Sequence, residues 1–268
     1  MRPARVWWWI VFIAGFLYFF LPLLGTFEFS LGHPFGPVHA QPTLDYYAEV
    51  VKTPEFWKTL GYSFIAGVIT IIVSIALIMP TAFWVRLRVP KARPFIEFIT
   101  LLPFVIPPIV LVFGLISTYS HPPLPFTYTD LGSSALLVAA YVVLSFPYMY
   151  RAVDTGLQAI DIRTLTEAAQ SLGAGWFRIL LQVILPNIRV ALLSGAFLTL
   201  AIVIGEFTIA TFLARPAFGP YLSLLGQTAA YEPAAVSLIS FGLTWLAMIL
   251  IAVIGRGSRT RVAVTGAR

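Results

Sequence analysis

Apolar residues in this chain gather into long runs instead of recurring at the spacing of a half-buried helix or strand. Six of these runs, 7–25, 60–85, 95–119, 133–150, 188–212 and 234–254, approach the roughly 17–25 apolar residues needed to cross a bilayer. Each predicts a helix, because a segment exposed to lipid must satisfy its backbone hydrogen bonds internally. The alternating pattern of a membrane β-barrel is absent from the sequence. The expected fold is an all-α membrane protein with six transmembrane helices in one domain, 1–268. Between the first two spans, 26–57 reads as a loop outside the membrane with a short interfacial helix around 46–51. Pro22, Pro80, Pro103, Pro107, Pro108 and Pro147 fall within spans, where each removes a backbone donor and kinks its helix. The cluster ending in Pro107 and Pro108 is a candidate border of a pathway or a packing kink.

Composition supports lipid as the solvent. The chain is 59% hydrophobic and 10% charged, against about 25% charged in a soluble domain, and its mean hydropathy is +0.90. The formal charge of +6 does not point to nucleic acid, because the basic residues form no stripe and lie between the apolar runs. Instead they fix a topology. Fourteen of the 17 sit on one side (Arg2, Arg5, Arg86, Arg88, Lys91, Arg93, Arg151, Arg163, Arg178, Arg189, Arg256, Arg259, Arg261 and Arg268), and only Lys52, Lys58 and Arg215 on the other. The positive-inside rule then puts both termini in the cytoplasm. The first run is long for a signal peptide, and the candidate cleavage site Val38-His39-Ala40 lies far beyond it, so an uncleaved first helix is expected. With no cysteine there is no disulfide framework or thiolate chemistry.

The connection between the fourth and fifth spans, 151–187, is longer than a helical hairpin needs. Thr164-Leu165-Thr166-Glu167 has the form of a capping box, and Gly173 stands where a helix would end, so a short helix is predicted between them. Ala168 and Ala169 in its middle are small enough to let another backbone approach. A second helix is expected from Gly175 towards Pro186, with Phe177, Leu180, Leu181 and Ile184 on one face.

Glu167-Ala168-Ala169, three residues, Gly173, nine residues, then Val183-Ile184-Leu185-Pro186 resembles the EAA motif of binding-protein-dependent ABC importer permeases. Val183 stands where that family usually has isoleucine. By span order the resemblance runs over about 60–254. It implies a type I ABC importer permease fold in a bacterial inner (plasma) membrane, with a cytoplasmic coupling helix at about 161–172. The ATPase-coupling residues would be Glu167, Ala168, Ala169, Gly173, Leu185 and Pro186. It also implies partners: ATP-binding subunits, a second permease that is either another copy or a homologue, and an extracytoplasmic solute-binding protein. No cofactor is implied. The chain contains no G-x-x-x-x-G-K-[S/T] and none of its three lysines follows a glycine, so it cannot cradle ATP phosphates by that route. ATP hydrolysis is expected in another chain, and no enzymatic constellation is visible. His33, His39 and His121 have no partners at metal-ligand spacing.

One acidic residue falls within a span, in the outer part of the bilayer. Glu206 follows Arg189 by seventeen residues, about 25 Å along a helix, and an ionisable group at that depth is a candidate for function. The alternative is a structural carboxylate that pairs with Arg215 or snorkels outward. Gly205-Glu206-Phe207 and Phe218-Gly219-Pro220 look similar to permeases of the spermidine/putrescine branch, whose relatives handle iron, thiamine or aminoethylphosphonate. That likeness favours a homologous second permease and a cargo such as a polyamine or another small organic cation. Tyr119, Tyr141, Tyr231 and Trp245 are candidate cation–π partners. A competing class is a gradient-driven secondary carrier using Glu206 as its coupling carboxylate, although no inverted repeat is visible.

Overall fold

The computed structural model describes residues 3–32 and 42–256. His33, His39, the 38–40 cleavage candidate, Arg2 and the last three arginines lie outside them. Among the described residues all regular structure is helical: α1 (Pro3–Ser30), α2 (Asp45–Lys52), α3 (Pro54–Arg88), α4 (Arg93–Val105), α5 (Pro108–Tyr119), α6 (Asp130–Gln158), α7 (Ile162–Ser171), α8 (Trp176–Arg178), α9 (Leu185–Asn187), α10 (Arg189–Gly205), α11 (Thr208–Phe212), α12 (Phe218–Thr228) and α13 (Glu232–Arg256). Trp7–Ser30, Pro54–Arg88 and Asp130–Gln158 are each long and apolar enough to cross a membrane as one helix. At 35 residues, α3 is about 52 Å long at 1.5 Å per residue, well beyond a hydrocarbon core of roughly 30 Å.

The third and fifth expected spans are not continuous helices. The third bends by 96° between Pro90–Val105 and Pro108–Tyr119. Each residue of Ile106-Pro107 precedes a proline, which disfavours the α region; ψ is 114° at Ile106 and 139° at Pro107. Two adjacent prolines therefore break the helix, whereas Pro22, Pro80 and Pro147 lie inside unbroken helices. The fifth run follows an 83° bend from Trp176–Asn187 into Arg189–Gly205, then ends at Glu206, where ψ is 126°. Helix resumes only for the five residues of α11. The reading of 188–212 as one helix is corrected accordingly. The helix α12 was not expected from the sequence, because its 11 residues fall below the length of a span.

The chain forms two compact units. In the first, residues 1–58 and 221–244, the Tyr231 ring packs at a tilt against Phe29 and Tyr46, with centroids 5.0 and 5.1 Å away. Gly32, at φ +73°, lets the chain turn against Tyr46, whose ring would stand 2.7 Å from an added Cβ. The helix α2 matches its terminal charges to the helix dipole, with Asp45 in the first turn and Lys52 in the last.

The second unit, residues 59–220 and 245–268, is organised around α6. Gly195 of α10 meets Met149 and Ala152, and Gly156 of α6 meets Ile188 and Ala191, at distances where an added Cβ would intrude. Small residues let the two backbones approach, as in other membrane helix pairs. Ser74 and Ser145 share a buried hydrogen bond of 2.6 Å between α3 and α6. One apolar cluster surrounds Tyr141, Val203 and Ile209, and another surrounds Phe83, Met149, Ile179 and Ile184.

Candidate functional site

The connection 151–187 contains the expected short helix, α7, but with a different start. Asp161 is its N-cap: one carboxylate oxygen accepts the Thr164 N–H at 3.2 Å and the other accepts the Thr164 hydroxyl at 2.7 Å. These bonds, the hydroxyl foremost, hold the Asp161 carboxyl below its ordinary range. The predicted capping box from Thr164 to Glu167 does not form; Thr164 lies inside the first turn and Glu167 projects into solvent. Thr166 and Ala169 face inward, whereas Ala168 is exposed, so the two alanines serve opposite faces.

The end of α7 follows the reading. Gly173 takes φ +81°, its N–H donates to Gln170 O at 2.9 Å, and the Ala174 N–H donates to Ala169 O at 3.0 Å. This pair of bonds is a Schellman motif. Beside it, Leu172 is 89% exposed and Phe177 77% exposed, an apolar pair that sequence reasoning did not single out as a surface. The expected face Phe177, Leu180, Leu181, Ile184 is corrected. The buried positions are Ile179 and Ile184, with Trp176, Leu180 and Val183 packed beside them. The reason is a π-helical turn at Ile179–Ile184, in which the Leu185 N–H reaches Leu180 O. Pro186 next in line has no N–H to donate, and the wider turn carries the chain past it. Leu185 packs on the same apolar cluster, while Pro186 is exposed.

A second locus brings together the three pathway candidates. Pro107, Pro108 and Glu206 all line one cavity of about 480 Å³, along with Phe104, Leu144 and Tyr148. It lies where both broken spans interrupt their helices. Glu206 is 9% exposed. One of its carboxylate oxygens accepts the Ile209 N–H at 2.8 Å, and the other accepts the Ala210 N–H at 3.2 Å and the Tyr141 hydroxyl at 3.2 Å. The carboxylate thus caps α11, satisfying two of the donors that a helix start leaves open. Its pairing with Arg215 is not observed. The Arg215 guanidinium instead donates to Asp130, at 2.7 Å to the carboxylate and 3.0 Å to the carbonyl, and to Leu213 O. Of the four aromatic candidates, Tyr141 reaches Glu206. Tyr119 packs on Phe126, Tyr231 packs on Phe29 and Tyr46, and Trp245 is exposed.

The two branch-like segments meet in space, because a Cβ on Gly219 would stand 2.3 Å from the carbonyl oxygen of Glu206. Their separation in sequence concealed this. A cluster around Asp154 was also missed. Its carboxylate accepts from Arg86 at 3.1 Å, Arg93 at 2.9 Å and Gln158 at 2.6 Å. The only signal in the sequence was an acid three residues after Arg151. Among the described residues no group of three or more His, Cys, Asp or Glu is arranged to hold a metal ion.

Broken apolar helices around a cavity with one buried carboxylate, together with a capped polar helix between the spans, are the layout of a membrane transport subunit. The chain belongs to the family of binding-protein-dependent transport system inner membrane components, which matches residues 78–263. It is a permease subunit of an ABC importer, a multi-pass component of the inner membrane, and it is not the enzyme of that system. It is similar to the spermidine/putrescine transport system permease protein PotB of Haemophilus influenzae, 28% identical over 231 residues, which are 80% of this chain and 76% of that protein. A probable molybdenum ABC transporter permease protein of Haloferax volcanii is 30% identical over 206 residues, 72% of this chain and 73% of that one. Among solved structures, a bacterial ABC transporter involved in the import of the acidic polysaccharide alginate shares the fold. It has a TM-score of 0.68 at 14% identity, over 94% of this chain and 96% of its own. A gradient-driven carrier finds no support among these relatives.

Proposed function

We propose that this permease crosses the membrane six times with both termini in the cytoplasm, and that α7 docks on a separate ATP-hydrolysing subunit. The docking face comprises Glu167, Ala168 and Gly173, flanked by the exposed Leu172 and Phe177; Ala169, Leu185 and the π-helical turn before Pro186 seat it on the spans. Large apolar side chains standing in water are the usual mark of a surface awaiting a partner. A second, homologous permease completes the pathway, and an extracytoplasmic binding protein delivers the cargo.

The cargo that fits best is a small organic cation of the polyamine type. The observation carrying this reading is the Glu206 carboxylate on the cavity wall. All three of its hydrogen bonds are donated to it, and a carboxylate has about four acceptor positions. A fixed negative charge in a low-dielectric wall attracts a cation and repels an oxyanion such as molybdate. The PotB likeness supports the same class, and the molybdenum relative supplies the alternative that must be tested.

The test is uptake of spermidine, putrescine and molybdate into proteoliposomes holding the full transporter, with Glu206→Gln and Arg215→Gln compared. Glu206→Gln is expected to lower polyamine uptake about tenfold or more, the loss of one desolvated charge contact, while complex yield and the binding protein's own affinity hold. Arg215→Gln, which breaks the bond to Asp130, is expected to lower yield without changing uptake per assembled complex. Unchanged polyamine uptake in Glu206→Gln, or native uptake of molybdate alone, would remove the cationic reading.

A further inference from the structure

By chain order the coupling segment is joined to α6 at one end and, through α8 and α9, to α10 at the other. Side chains tie it to a third helix. At the front end Asp154, 8% exposed, lies seven residues before the cap of α7, and its carboxylate holds Arg86 in the last turn of α3. The same carboxylate holds Arg93 at the first residue of α4, and Arg93 also bonds Glu97 at 2.8 Å. At the back end Trp176, the first residue of α8, packs edge-to-face on Trp84 of α3 with ring centroids 4.9 Å apart. The Arg88 guanidinium lies 5.4 Å from the Trp176 ring and 5.8 Å from the Trp84 ring, within cation–π range of both.

The last turns of α6, which lead into the coupling segment, and Trp176 at its back end are thus both fastened to the last turns of α3. α3 reaches far from this point, and the second anchor, α4, ends at the Ile106-Pro107 break beside Glu206. The buried Asp154 carboxylate would be poorly solvated without Arg86 and the more exposed Arg93, so this tie resists separation. The aromatic tie is an edge-to-face contact, and Trp176 also packs beside the Phe83 cluster, so displacement of one ring presses on the other.

We propose that the last turns of α3, gripped by Asp154 through Arg86 and by Trp176 through Trp84 and Arg88, form the lever that carries movement of the coupling helix to α4 and its proline break. This rests on the reading of α7 as the ATPase-docking helix. Asp154 and Trp176 are positioning residues, since neither lines the cavity of Glu206. Spatial intermediacy alone does not establish coupling, so the deciding quantity is cargo moved per ATP hydrolysed.

The experiment uses the complete transporter in proteoliposomes, with the native chain, Asp154→Asn, Trp176→Ala, the double variant, and the conservative Asp154→Glu and Trp176→Phe. ATPase pull-down, hydrolysis stimulated by the binding protein, and uptake are measured on each. In the double variant, pull-down and hydrolysis are expected to stay near native, while uptake per ATP falls about fivefold or more, the low end of the usual coupling between sites. The conservative variants should return it most of the way. Native uptake per ATP in an assembled double variant overturns the lever, and so does a proportional loss of hydrolysis and uptake, which marks a purely structural role. If the double variant does not assemble, the two single variants decide on the same criterion. Failure of the native chain to retain an ATP-hydrolysing subunit would strike instead at the docking role of α7.

Discussion

Gly219 shows how one missing atom joins two parts of the chain. Its Cα faces the backbone of Glu206 and Phe207, so a methyl group there meets main-chain atoms at 2.3 to 3.0 Å, and main chain cannot rotate aside. Gly219→Ala is expected to push Glu206 away from the α11 amides, destabilise the protein by about 1–3 kcal/mol as overpacking does, and lower uptake. Gly114→Ala is the control, since nothing lies within 4 Å of that position. Thermal unfolding of the purified transporter, read alongside uptake, checks both; equal behaviour of the two variants would contradict the close approach. The sequence displayed Gly219 and Glu206 as members of similar-looking motifs, but a contact between residues 206 and 219 across two helix breaks has no periodic signature. The expected partner Arg215 was closer to Glu206 in sequence and opposite in charge, but it pairs with Asp130 instead, because α11 and the turn after it carry the guanidinium to the start of α6.

At the level of elements, the caps of α7 are distinct from the face proposed for docking. Asp161 and Thr164 close its start, Gly173 closes its end, and Glu167 takes no part in either. Asp161→Ala is expected to fray the helix, with weaker ATPase pull-down and lower helix protection in hydrogen exchange. Glu167→Lys should weaken pull-down with that protection unchanged. Gly173→Val places a β-branched residue at φ +81°, a strain of about 1–3 kcal/mol, and should disturb both measurements. Because no neighbour lies within 4 Å of an added Cβ, that effect comes from backbone strain, and Gly173→Asn should be milder. Loss of protection in Glu167→Lys would return the capping role to Glu167. The short helix was legible because its end signal is local: only glycine readily takes the left-handed conformation. The helix after it was misread because a π turn adds a residue that a fixed 3.6-residue period does not anticipate.

For the whole molecule, topology is the quantity most directly open to measurement. The chain has no cysteine, so Pro123→Cys and Gly266→Cys each introduce one reactive thiol. A membrane-impermeant reagent applied to intact cells is expected to modify Pro123→Cys and spare Gly266→Cys until the membrane is opened. Labelling of Gly266→Cys from outside would reverse the proposed orientation. Legible in the residues alone were the solvent, the helical class, the existence of the main apolar segments and the short helix at 161–172. Each of these follows from residue-by-residue transfer into lipid or from local backbone preference, and neither needs a partner in space. The third run breaks at a proline pair visible in the chain, whereas the packed fold decided that the fifth breaks at Glu206. It also decided that Pro107, Pro108 and Glu206 share one cavity, that Glu206 caps α11 rather than pairing with Arg215, and that Asp154 ties α3, α4 and α6 together. In lipid an apolar run lacks the solvent-facing stripe that reveals in water which side of a helix is buried. The contacts between spans are therefore set by small residues, buried hydrogen bonds and a few charges, whose partners are chosen by packing.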